Sequence, residues 1–288
     1  MQKSKPLTKP SKTSSKYRFL VIGLIGICAW VLISTIFPAF IRTQRGTIQA
    51  ELSRISRLSE SQQSTELNKL SKATGYDQEV SRSLADWYKR HNRYDLAAQS
   101  YAAARPNLLV ESAMSYADGY EYSNAQKIAV QAQKTSQDPE ARALEAQALI
   151  NLNQVDSGCK QVSEINNQTK SNQRAIQLIE ACQIIRGEAT NQYQALRLIS
   201  LGVPNIAEKS LQNFTVKSST VSIALAGIQL RRQDISRGVQ LYTEALDANP
   251  YDKELLNSIV LTLKESDNQK ALALVKRARE TQSILPRY

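Results

Sequence analysis

A spacing that recurs along this 288-residue chain limits what it can fold into more than any other feature. A small residue is followed four positions later by a second member and three positions after that by a third: Ala97/Tyr101/Ala104, Ala125/Ala129/Ala132, Gly158/Val162/Ile165, Ala207/Leu211/Phe214, Gly238/Tyr242/Ala245 and Ala271/Val275/Ala278. Steps of four and three place the members of each set on one face of a helix. Twelve residues ahead of the first five sets stands an alanine (Ala85, Ala113, Ala146, Ala195 and Ala226), and Ile259, Val260 and Leu263 precede the sixth. Small residues that face each other let two consecutive helices approach closely, which a bulky side chain at either position would prevent. Turn-forming residues fall between each alanine and its set, at 92–95, 119–124, 153–156, 202–204 and 233–234.

The leading members are 28, 33, 49, 31 and 33 residues apart. Repetition in this range marks arrays of one supersecondary unit, each unable to bury its apolar face alone. The long step exceeds a repeat of this kind by about 15 residues, the length of one helix. Residues 172–186 supply that helix, with Ala175, Leu178, Ile179, Cys182 and Ile185 on one face. Few glycines and prolines, 10 and 8, agree with a mostly helical chain.

The best-formed unit, RRQDISRGVQLYTEALDANPYD at 231–252, is similar to the second helix of a tetratricopeptide repeat. It has the small Gly238, the aromatic Tyr242, Ala245, and a proline, Pro250, that cannot continue the helix. The resemblance covers residues 76–279. It implies an all-α solenoid over 76–288, with about six antiparallel helix pairs, an extra helix near 172–186, and a concave groove that takes segments of other proteins. Groove residues come from the first helix of each pair; in the first pair Arg82, Asp86 and Lys89 share a face and are the expected partner-binding residues. A solvated helix face is the plainer reading of the same three side chains. The ordered carboxylate clamp of some members of that family is not reproduced at the equivalent faces, which include Ile223 and Gly227.

Ahead of the array, residues 19–41 contain no charge. A helix of 23 residues is about 34 Å long, enough for a hydrocarbon core of about 30 Å. The run is longer than the apolar part of a signal peptide, and Phe37 stands where a cleavage site before Phe40 would need a small residue. An uncleaved single-pass membrane anchor is therefore expected. Residues 1–18 hold six of the net eleven positive charges and no acid, against Arg42, Arg45 and Arg54 on the other side. The positive-inside rule places this basic tail in the cytoplasm, disordered and drawn to anionic lipid, and the rest of the chain outside. The remaining excess is too dilute for nucleic-acid binding by the folded part. Residues 42–75 read as a helical stalk in which Ile48, Leu52, Ile55 and Leu58 form a short amphipathic stripe, long enough for at most a weak homodimer contact.

Nothing in the sequence sets up catalysis. One histidine, His91, excludes a multi-histidine metal site, and no phosphate loop, HExxH or paired Cys-x-x-Cys occurs, so neither cofactor nor metal is expected. His91 reads as a residue at a helix end. Cys159 and Cys182 could close a disulfide in an oxidising compartment; the apolar stripe around Cys182 favours plain helix packing. The expected function is that of a membrane-anchored scaffold that docks other proteins, outside the cytoplasm and in secretion or envelope assembly. The alternatives are the reverse orientation, recruiting cytoplasmic clients, and a helical enzyme with an unrecognised site.

Overall fold

The computed structural model describes residues 37–104, 106, 108–168, 172–215, 217–264, 266 and 268–285; at 37–45 and 166–168 it describes the backbone alone. The basic tail and residues 19–36 of the expected anchor lie outside the described residues. No described helix is long and apolar enough to cross a membrane. The chain divides into two compact units, residues 1–67 and 68–288. Fifteen helices and no strand are found among the described residues.

In the first unit, α1 (Phe37–Ile55) is followed by α2 (Glu60–Ala73), whose last residues belong to the second unit. The stripe expected on α1 is graded: Ile48 and Leu52 are half-buried and Ile55 is buried, as is Leu67 of α2. Gln63 donates to the Leu58 carbonyl, and Arg54 bridges Glu51 and Glu66, so the two helices are tied across their connection.

The second unit is an array of helix pairs. These are α3 (Gln78–Arg90) with α4 (Tyr94–Ala103), α5 (Leu109–Asp118) with α6 (Tyr122–Thr135), and α7 (Pro139–Asn151) with α8 (Val155–Gln168). A single helix, α9 (Gln173–Arg186), follows. The remaining pairs are α10 (Gln192–Ser200) with α11 (Pro204–Gln212), α12 (Ser219–Arg231) with α13 (Ile235–Ala248), and α14 (Lys253–Leu263) with α15 (Gln269–Ile284).

The first five pairs cross at their small residues, and in the sixth Ile259 holds the alanine's place. Ala85 and Ala97, Ala113 and Ala125, Ala195 and Ala207, and Ile259 and Ala271 are all fully buried. At the two glycine crossings the approach is closer still. A Cβ on Gly158 would lie 2.6 Å from Ile150 Cγ1 and 2.8 Å from the Ala146 carbonyl oxygen; one on Gly238 would lie 2.7 Å from Leu230 Cδ2. A methyl group cannot be accommodated at either without displacing a neighbour.

The turn inside each of the first five pairs has one geometry. Asn92, Tyr120, Asn153, Gly202 and Gln233 adopt left-handed backbone angles, with φ of 57°, 64°, 67°, 83° and 65°. The next N–H reaches back to a carbonyl in the last turn of the first helix: Arg93 to Tyr88, Glu121 to Tyr116, Gln154 to Leu149, Val203 to Leu198 and Asp234 to Gln229. This is the Schellman arrangement, which satisfies carbonyls that a helix end would leave open. Five of the six first helices begin on side-chain caps, at Asp77, Asp138, Asn191, Ser218 and Asp252; α5 begins at Leu108 without one. Arg93, Glu121 and Val203, which lead into second helices directly from the turn, make no side-chain cap bond.

α7 is the centre of the unit. Alanines 141, 143, 146 and 148, with Leu144, Leu149 and Ile150, are buried around its circumference, as are Gln147 and Asn151. A helix whose buried residues run round most of its circumference needs neighbours on most sides, and its charged residues, Glu140, Arg142 and Glu145, stay half-exposed. α6 and α8 flank it, α5 and α9 pack beside it, and α11 approaches from across the array. Between α8 and α9 a disulfide joins Cys159 to Cys182, with Cα atoms 5.8 Å apart. Plain packing of Cys182 in its apolar stripe is therefore only part of what these cysteines do. The stripe brings α9 against α8 with the two thiols in register, and the bond fastens the inserted helix.

Candidate functional site

The three residues expected to bind partners, Arg82, Asp86 and Lys89, lie along α3, and each is engaged within the chain. Arg82 Nη2 stands 3.1 Å from Glu111 Oε1 and Lys89 Nζ 3.0 Å from Asp118 Oδ2, so both reach from α3 to α5, the first helix of the next pair. Asp86 accepts a 2.6 Å hydrogen bond from the Tyr101 hydroxyl on α4. Burial, and then that bond, raise the Tyr101 hydroxyl well above the usual phenol value. The face is thus a ladder of ion pairs between neighbouring first helices. Exposed pairs of this kind contribute little stability, and their side chains can exchange partners at small cost.

His91 caps the C-terminal end of α3. Its ring stacks on Trp87 with centroids 3.8 Å apart, and Nδ1 lies 2.7 Å from the Trp87 carbonyl oxygen. Among the described residues no group of three or more His, Cys, Asp or Glu side chains is placed to hold a metal ion.

A second constellation was not anticipated from the sequence. It is a continuous polar seam that runs from α9 through α7 and α11 to α12. Arg174 Nε binds Glu140 at 2.6 Å while its Nη1 donates to Gln147 Oε1 at 2.6 Å. Gln147 and Asn151 both donate to the Gly202 carbonyl, at 2.8 and 2.9 Å. Asn151 in turn accepts from the Asn205 backbone N–H, and its own carbonyl takes the Asn205 side-chain amide, both at 3.1 Å. From Asn205 the seam passes to Arg232 at 2.7 Å, to Glu208 at 2.7 Å, and from Glu208 to Gln229 at 2.6 Å. Gly202 is required twice over: its φ is 83°, and a Cβ there would lie 2.5 Å from Gln147 Nε2.

Beside the seam sit Tyr120 and Tyr122, rings stacked at 6.1 Å. Burial raises both hydroxyls above the usual phenol value, Tyr122 the more strongly, and its hydroxyl has no hydrogen-bond partner. Every charge in the seam is answered, Glu140 by Arg174 and Glu208 by Arg232, so chemically it is a tie between pairs that are distant in sequence. The one sequence signal for it is Gln147 and Asn151, two polar residues four apart in the alanine- and leucine-rich second half of α7. Arg174, Asn205 and Arg232 sit at helix ends, where polar residues ordinarily meet water.

No protein-family model and no curated protein matches the chain.

Proposed function

We propose that the protein is a single-pass, membrane-anchored scaffold whose helix-pair array, of tetratricopeptide type, docks other proteins on the extracytoplasmic side. The uncharged run at 19–41 supplies the anchor, and the six cations of the tail hold residues 1–18 at the cytoplasmic face, near anionic lipid. The stalk at 42–75 sets the array off from the membrane and is the one place suited to a weak contact between two copies.

The observation that carries this reading is the Cys159–Cys182 bond within the array. Disulfides form and persist in oxidising compartments and are rare where thiols are kept reduced. A disulfide-fastened array joined to a run of membrane-spanning length, with the cations ahead of that run, supports an exported domain from two independent directions. Docking is supported by the array itself and by the α3–α5 ladder, where Arg82, Asp86 and Lys89 are charged, accessible at their edges and held by exchangeable pairs.

Protease added to intact cells or spheroplasts tests the orientation. The array should be cleaved without breaching the membrane; cleavage only after lysis would establish the reverse placement, with cytoplasmic clients. Crosslinking of the full chain in its membrane tests docking: partners captured by wild type should be lost from an Arg82→Glu/Lys89→Glu variant. Equal capture by both would remove these residues from the interface.

A further inference from the structure

The turn of the fifth pair meets those of the first and second, although more than a hundred residues separate it from either. Arg231 Nη1, at the end of α12, donates to the Tyr94 hydroxyl at 2.9 Å, across 137 residues, and lies 3.5 Å from the Asp118 carbonyl oxygen. Its guanidinium carbon sits 5.2 Å from the centroid of the Tyr94 ring and 5.8 Å from that of Tyr120. Two residues on, the Gln233 side-chain amide donates to the Asn92 carbonyl, across 141 residues. Asn92, Tyr120 and Gln233 are three of the left-handed turn residues, so the same local geometry that closes each pair also presents these groups to one another.

What joins the two sides matters as much as that they touch. The apolar cores of the first two pairs are built from residues 85–148, and the core of the last two from residues 226–278. None of these cores includes residues from both sides of the contact. A small cavity of about 80 Å³ remains between the sides, lined by Tyr94, Tyr120, Glu121, Arg231 and Gln233 among others. Arg231 and Gln233 are themselves exposed. The contact is therefore made of hydrogen bonds and cation–π pairing at a solvent edge, each of which is modest in water. Pair formation, in contrast, rests on buried apolar surface.

We propose that Arg231 and Gln233 form a latch that closes the array, and that the array opens at this contact while every helix pair stays folded. Opening withdraws Arg231 from between Tyr94 and Tyr120 and uncovers an aromatic seat flanked by Asp95, Glu121 and the Asp118 carbonyl. Closing fills that seat with the chain's own guanidinium. The latch stands independently of the orientation and docking readings, because it concerns the array alone.

The test measures a distance across the contact in the full chain, held in detergent micelles. Spin labels are placed at the exposed positions Gln99 on α4 and Gln240 on α13, in a Cys28→Ser background that leaves Cys159 and Cys182 bonded. The wild-type latch should give one narrow distance distribution. Arg231→Ala/Gln233→Ala should add a population longer by more than about 5 Å, one helical turn. The melting temperature should fall by no more than about 4 °C, the scale of one lost interaction in a domain of this size. An unchanged distribution in the double variant overturns the latch. So does a lengthened distance accompanied by loss of the cooperative melt, because the contact would then be part of the fold. Arg231→Lys serves as the second variant: it keeps the charge but not the planar stacking, and should lie between wild type and the double variant.

Discussion

Within one hairpin, α12–α13, two regions only a few residues apart hold the molecule together in different ways. At the crossing, Gly238 lies against Leu230 and Ala226, Tyr242 is completely buried, and the contact is between residues that are neighbours in the repeat. At the turn, Arg231 and Gln233 are exposed and make their contacts with residues from the first two pairs. The crossing makes the pair; the turn side sets how pairs are disposed around one another. Apolar burial is non-directional and roughly proportional to area, so it suits the first task, whereas hydrogen bonds of fixed geometry suit the second. The seam from Arg174 to Gln229 belongs to the same class as the turn, more deeply buried and more fully satisfied.

Breaking either region should give a different signature, and the largest effect is expected where the array is interrupted. Replacing Cys159 and Cys182 by alanine releases a 23-residue closure and should lower unfolding stability by about 3 kcal/mol, read from urea denaturation; reduction of the wild type should do the same. Gly202→Ala comes next. It forces a Cβ into a left-handed turn and against the Gln147 amide, and should cost about 2 kcal/mol while disturbing the seam. Gly158→Ala should cost a similar amount, about 2 kcal/mol, because its new methyl meets the Ala146 backbone as well as Ile150. Both positions gain about 1 kcal/mol from the better helix propensity of alanine, but Gly238→Ala meets only the Leu230 side chain closely, which can shift where backbone cannot, so its loss should be clearly smaller. If Gly238→Ala proves the more damaging of the two, the crossing is less tolerant of side-chain adjustment than its geometry implies.

The smallest effect should come from a cap. Asp252 accepts the Leu255 N–H at the start of α14, and Asp252→Ala should cost about 1 kcal/mol at neutral pH. The Ser219 hydroxyl, and then the Leu255 N–H, hold this carboxyl below its ordinary value of 3.8. A lowered native value means the contribution is complete above the ordinary carboxylate range and is lost as pH falls through the lowered one. The difference between variant and wild type should accordingly shrink in acid, which denaturation series at neutral pH and near pH 3 would measure.

The two regions also differ in how far they can be read from the amino-acid order. The crossing depends on small residues at fixed separation, a local pattern, and Ala85 with Ala97 or Ala226 with Gly238 can be paired without a structure. α9 could be placed because the interval at the third pair is one helix too long. The turn positions were only partly visible: Asn92, Asn153 and Gly202 are residue types that tolerate left-handed angles, whereas Tyr120 and Gln233 are not, and tertiary context holds them there. The seam and the Arg231 contact were not legible, because a polar residue at a helix end carries no mark of a partner many residues away. For Arg82, Asp86 and Lys89 the shared face could be read, but not their ties to Glu111, Tyr101 and Asp118. The cysteines fall between these cases: an apolar stripe explained Cys182 sufficiently by itself, and only the approach of α8 to α9 reveals the bond.

The central functional claim, that the array stands in an oxidising compartment on the far side of the membrane, is tested most directly by the thiol state of the chain in its native membrane. Free thiols are alkylated in intact cells and again at lysis under acid quench; the protein is then reduced, and newly exposed thiols receive a second, heavier reagent. Peptide mass analysis should find the heavy label on Cys159 and Cys182, which become reactive only after reduction. Both cysteines carrying the first label would mean that the array is reduced where it resides, and the account of an exported, disulfide-fastened domain would be contradicted.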